Sequence, residues 1–326
     1  MGSDMKGILK LTAITTVLVW TTGAAAQSYP IRPVTIIVPL AAGAATDIET
    51  RLYARKLSET MGQSFVTDYK PGAGTTLGAN YVAKAAPDGY TLLALTGSFM
   101  ASAALYPSLP FDPIKDLAPV ALMSKDTGVI AAHPGLPYRS IPEYVAYAKA
   151  NPDAINVATT GSGGGPHLSA AWFHGLTKTK VTFVHYKGAA AALPDLLTGR
   201  VHVMFVALQN IQGELKAGKL KAIGLSSGQR SALLPGVKTA AEQGVVGFDY
   251  ANIFGISAPG AVPAPIIDRL AVELAKVAKS PDVLKILEGD GKLAIGSTPG
   301  QFRQLIASEI AVFKKIIQEN GIKLEE

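Results

Sequence analysis

The sequence contains no cysteine. That absence excludes a disulfide framework, a thiolate nucleophile, cysteine-ligated zinc and protein-held iron–sulfur clusters. Charge is scarce too, at 17% of residues, and the lysines and arginines stand singly rather than in runs. Without a basic stretch interleaved with aromatics, nucleic acid is not an expected partner. Catalytic signatures are also missing. Ser162 has Thr160 rather than glycine two positions before it, so Gly-x-Ser-x-Gly is absent. His-Glu-x-x-His is absent, and His133, His167, His174, His185 and His202 show no zinc-binding spacing. No metal, no cofactor and no catalysis are expected.

What is present is a long, apolar chain: 326 residues, 48% hydrophobic, with 33 glycines and 21 prolines scattered along it. That length suits two lobes better than one core. The one apolar run of near-spanning length lies at the N-terminus. Lys6 and Lys10 precede Leu11 to Trp20, and Ala24-Ala25-Ala26 follows. Residues 1–28 therefore read as a secretory signal peptide, cleaved after residue 26 to leave a free, soluble periplasmic chain. The net charge of +6 favours attraction of anions at long range, or serves solubility alone.

From Val34 onward, β-branched runs alternate with amphipathic segments, which predicts an α/β protein with parallel sheets. Strands are expected at Val34 to Val38, Ser64 to Tyr69 and Tyr90 to Leu95, with helices at Ile48 to Met61 and Thr76 to Ala85. The pattern restarts at Ile141 and runs to a strand at Leu220 to Leu225. Helices close the chain at Pro265 to Lys279, Asp282 to Glu288 and Pro299 to Asn320. Two such halves predict that the chain crosses between lobes twice, near Met123 to Gly128 and near Leu225 to Ser227. The expected lobes are 29–124 plus 226–326, and 125–225, with a ligand cleft between them.

Ligand loops of open parallel sheets lie at the strand C-termini. Three such loops stand out. The first is Pro39-Leu40-Ala41-Ala42-Gly43-Ala44-Ala45-Thr46-Asp47, whose small residues let a ligand approach the backbone, and whose helix start favours a carboxylate. Asp47 would repel an anion and is assigned to capping or holding water. The second is Thr160-Gly161-Ser162-Gly163-Gly164-Gly165-Pro166-His167, rich in exposed amides but lacking the Lys-Ser/Thr ending of a phosphate loop. The third, Thr96-Gly97-Ser98-Phe99, offers hydroxyls and an aromatic wall.

Further short motifs accompany these loops in order: Tyr29-Pro30-x-Arg32-Pro33, Lys70-Pro71-Gly72-Ala73-Gly74, Ala86-Pro87-Asp88-Gly89-Tyr90, Leu109-Pro110-Phe111-Asp112-Pro113 and Tyr186-Lys187-Gly188. Together they resemble the extracytoplasmic receptors of tripartite tricarboxylate transporters, the Bug family, from about Tyr29 to Lys323. The resemblance implies a two-lobed periplasmic-binding-protein fold of type II: two doubly wound sheets, a hinge and a central cleft. It implies capture of a small organic anion and delivery to membrane permease subunits. It also implies that the first loop grips a carboxylate through backbone amides and water, with Ser162 to His167 contributing from the other lobe. Relatives often carry Asp-Asn after the Met-Phe at Met204-Phe205, where this chain has Val206-Ala207. That departure weakens an amino acid ligand and favours an aromatic acid or a di- or tricarboxylate, walled by Phe99, Tyr186 and Val206. Two other readings remain: a ligand sensor for a two-component system, and a hydrolase or isomerase using His167 with Ser162.

Overall fold

The computed structural model describes residues 29–323; the expected signal segment lies outside them. Its elements begin with β1 (Val34–Val38), α1 (Ala45–Met61), β2 (Phe65–Tyr69), α2 (Thr76–Ala83), β3 (Thr91–Thr96), α3 (Gly97–Leu105) and β4 (Leu117–Asp126). There follow β5 (Gly128–Ala132), α4 (Ile141–Ala150), β6 (Asn156–Thr160), α5 (Gly165–Thr177) and β7 (Thr182–Tyr186). Next come α6 (Ala189–Thr198), β8 (Val203–Ala207), α7 (Gln212–Lys216) and β9 (Lys221–Leu225). The chain ends with β10 (Ile253–Pro259), α8 (Ala264–Ala278), α9 (Pro281–Gly289), β11 (Lys292–Ala294) and α10 (Pro299–Asn320).

Local chemistry accounts for the boundaries. β1 and β10 are almost entirely buried along their length, as strands covered on both faces must be. α4 starts at Ser140, whose hydroxyl accepts from the Glu143 amide, and α10 starts with a capping box between Thr298 and Gln301. Along α10, Phe302, Ile306, Ile310, Phe313 and Ile316 recur every three or four residues and are buried.

Two sheets result. One has six strands in the order β11-β4-β10-β3-β1-β2, the other five in the order β7-β6-β8-β5-β9. The expected parallel pairings are there: β1 with β2 and β3, and β6 with β7 and β8. Both sheets are nevertheless mixed. β5 runs antiparallel to β8 and β9, and β10 runs antiparallel to β3 and β4. The cause is topological. β4 leaves the first sheet at Asp126, and β5 enters the second at Gly128 with one residue between them. A strand that leaves one sheet at its C-terminal edge and enters a facing C-terminal edge must run against its new neighbours. The same applies to β10 on the return journey. Two antiparallel crossings therefore turn the C-terminal edges of the sheets, and the helix starts behind them, toward each other.

The crossings lie side by side. The Asp126 amide donates to the Asn252 carbonyl (2.8 Å), Ser226 to Gly128 (2.9 Å) and Tyr250 to Ser226 (2.8 Å). The return leg is long, and its first part stays with the five-stranded sheet: Ala240 donates to Leu225, and the Gln243 side chain donates to the Ile223 carbonyl.

Candidate functional site

The two expected ligand loops are built on one plan. In each, a glycine with positive φ precedes the helix by two residues: Gly43 (φ 83°) before α1 and Gly163 (φ 68°) before α5. In each, the third helical residue reaches back to that glycine. Asp47 accepts from the Gly43 amide at 2.8 Å, and His167 Nδ1 accepts from the Gly163 amide at 2.9 Å. Both side chains are buried, so each loop is fastened by an acceptor from below and leaves its backbone facing outward.

The electrostatics differ between the two fasteners. Burial alone would push the Asp47 carboxyl up. Donation from Gly43, from Arg51 Nε (2.9 Å) and from the Tyr69 hydroxyl (2.8 Å) outweighs it and holds the carboxyl below the usual range. Burial, with the neighbouring His185, lowers His167 to about 4, so the ring is neutral at pH 7 and its Nδ1 lone pair is free to accept. That acceptance occupies the nitrogen His167 would need to act as a general base toward Ser162.

A cavity of about 310 Å³ lies between the sheets, lined from both of them and from the crossing segments. Four helix starts reach it: Ala45 of α1, Ser98 of α3, Pro166 of α5 and Gly188-Ala189 at α6. None of these helices has a side chain capping its N-terminus. Each start carries roughly half an elementary positive charge and free amides. Among the described residues no lysine, arginine or histidine lines the cavity, so the positive ends that meet it there are those of peptide dipoles.

Close packing shapes the rest of the wall. A Cβ at Gly165 would run into the Tyr250 hydroxyl, so glycine there brings Tyr250 against the start of α5. Val206 and Ala207 of β8 line one side and Asn252, Asp126 and Gln209 another. Behind that side, Lys292 Nζ lies 2.6 Å from Glu49 and 3.7 Å from Asp126. Burial pushes both carboxyls up, and Lys292 pulls them back; burial opposes the Lys292 charge, and the two acids sustain it. A larger cavity, about 500 Å³, opens on the far side of Glu49 between α1 and α9. Helix flanks make up most of its wall, Ala45 and Gln209 are shared with the cavity between the sheets, and it takes nothing from the glycine loop before α5.

Of the residues singled out in the sequence, Ala45, Ser98, Thr160 and Val206 line the cavity between the sheets. Leu40 packs on the core, Ala41, Ala42, Gly43 and Ala44 form the loop before Ala45, held by Asp47, and Thr46 lies in the first turn of α1. Ser162, Gly163, Gly164 and His167 likewise form and fasten the second loop rather than line the cavity. A Cβ at Gly164 would sit 2.7 Å from the Thr160 carbonyl oxygen, so a side chain there would deform the loop itself. Thr96 is buried with its hydroxyl unpartnered. The expected wall differs in two places. Phe99 is fully buried and stacks on Phe111 at 6.3 Å, because α3 turns it into the core. Tyr186 donates its hydroxyl to Asp195 at 2.8 Å and stays outside the cavity. Asp126, Gln209, Tyr250 and Asn252 carry no mark in the sequence reading, except that Asp126 falls within the first expected crossing.

Comparison with known proteins agrees with this architecture. The profile of the family described as "Tripartite tricarboxylate transporter family receptor" matches residues 50–322. BugT of Bordetella pertussis is 32% identical, over 97% of this chain and 99% of its own. An R. palustris protein solved with adipate is 32% identical with a TM-score of 0.75, over 90% of this chain and 99% of that one. MatC from Rhodopseudomonas palustris, solved with bound malate, is 33% identical with a TM-score of 0.72, over 89% and 100%. This two-sheet α/β chain belongs to the tripartite tricarboxylate transporter receptors, a family of periplasmic solute-binding proteins and not of enzymes.

Proposed function

We propose that the chain captures a small organic carboxylate in the cavity between its sheets and hands it to the membrane subunits of a tripartite transporter. The observation that carries this reading is the convergence of four helix starts without side-chain caps on a cavity free of basic side chains. Amides and dipoles so arranged suit a carboxylate, which also fits the adipate and malate of the two solved relatives. The lobes in this reading are the six-stranded and five-stranded sheets with their helices. Its first crossing is the step from β4 to β5, Asp126 to Gly128. The second falls near Tyr250 to Asn252, because residues 226–245 pack on the five-stranded sheet. The receptor acts as a periplasmic monomer after loss of residues 1–26.

Thermal unfolding of the chain from residue 27 onward, in the presence of adipate, malate and their neutral diamides, tests the reading. A ligand that binds only the folded state raises Tm with concentration. The acids are expected to raise it and the diamides to leave it unchanged. An equal rise with acid and diamide would overturn the carboxylate reading.

A further inference from the structure

The cavity joins helix starts, which supply donors, to a floor that supplies acceptors in excess. Asp126 closes β4 and lines the cavity. It accepts from Asn252 Nδ2 at 3.2 Å. Gln209 lines the same cavity, and its Oε1 is buried without a partner among the described residues. The charge count is also unbalanced. One ammonium, Lys292, serves two carboxylates, and it sits closer to Glu49 (2.6 Å) than to Asp126 (3.7 Å). Ser124 also donates to Glu49, so Glu49 is the better satisfied of the two acids. An unpartnered buried acceptor and an under-neutralised carboxylate both gain from a donor brought by the ligand.

We infer that Asp126 and Gln209 make the cavity select carboxylates that carry a hydroxyl or ammonium group over the bare acids of the same length. This rests on the carboxylate reading above and adds the second half of the ligand to it. Val206 and Ala207 do not oppose such a group, since Gly128, two residues after Asp126, pairs directly with Ala207. The acceptor therefore stands one strand away from β8, on the same cavity.

Calorimetric titration with two matched sets tests the inference: succinate, malate and aspartate, then adipate and 2-aminoadipate. In the set that fits the cavity, the hydroxy or amino acid is expected to bind about tenfold or more tighter than the bare acid. Asp126→Asn should bring that ratio close to one. Glu49 and Lys292 remain paired in this variant, and its thermal unfolding reports that the fold is kept. Gln209→Met, which leaves all charges in place, should also lower the ratio. Bare acids that bind as tightly as their substituted partners, or a ratio that survives both variants, would overturn the inference while leaving the carboxylate reading standing. Failure of all five acids to bind would overturn both.

Discussion

Glu309 on α10 has one carboxyl oxygen buried without a partner, in a small cavity shared with Trp172 of α5 and Tyr250. Burial, opposed by Lys125 and aided by Asp249, pushes this carboxyl up to about 8. An acid raised in the folded state favours folding in its protonated form. Its contribution is complete below the ordinary carboxylate range near 4.5 and is lost as pH rises through 8. His167 and His174 act on the acid limb. Burial lowers them to about 4 and about 3, so their contribution is complete above about 6.5 and is lost as pH falls toward 4. Glu309→Gln should therefore raise Tm at pH 9 by several degrees and change it little at pH 5, as read by scanning calorimetry. The same shift at both pH values would show that the carboxyl is paired in solution. The residue-level roles divide by range. The hold of Asp47 on its own loop is local, its partner lying four residues away. Nothing local marks Asp126, because Asn252 and Lys292 reach it from far along the chain.

The helix starts set the chemistry of the cavity, and one substitution separates their two effects. Ala45 is the first residue of α1 and lines the cavity. Ala45→Asp puts a negative charge where the helix dipole favours one, worth about 0.3–1 kcal/mol to the helix. The same charge would occupy the place proposed for the ligand's carboxylate. Tm should be held or raised, and calorimetric affinity for an acid that raises the wild-type Tm should fall on the order of a hundredfold. Unchanged affinity would place the carboxylate elsewhere. Most elements were legible from periodicity: β1, α4 and α10 run where the pattern puts them. α3 was read as a loop. Its run Gly97-Ser98-Phe99-Met100-Ala101-Ser102-Ala103 is buried throughout except at Ser98, so no polar face marks a helical period. β4 goes unmarked for another reason: Pro119 interrupts it, a residue that ordinarily argues against a strand. A Cβ at Gly255 would strike the Phe302 ring, so the glycine is what lets α10 lie against β10.

At the scale of the molecule, the parallel pairings could be inferred from alternation, but the reversal of β5 and β10 could not. It follows from the path between sheets, which no local pattern encodes. That path has a mechanical corollary. Residues from both sheets line the cavity, so a ligand touching both is held best when they approach each other. α10 packs on α3 of one sheet and α5 of the other, with Tyr250 and Phe313 6.1 Å apart at the seam. Small-angle scattering should show a smaller radius of gyration when the chain is saturated with an acid that raises its Tm. An unchanged radius would mean that capture occurs without movement of the sheets.

The adjacency of the two crossings has one more consequence. Asp126 and Asn252 are joined by a backbone hydrogen bond of 2.8 Å, although the whole five-stranded half of the protein is threaded between them. That half is therefore a cassette whose two ends meet at a single seam. A relative's corresponding segment can be spliced in at that seam with no new linker, which exchanges the five-stranded half's share of the cavity wall while α10 and the six-stranded scaffold stay as they are.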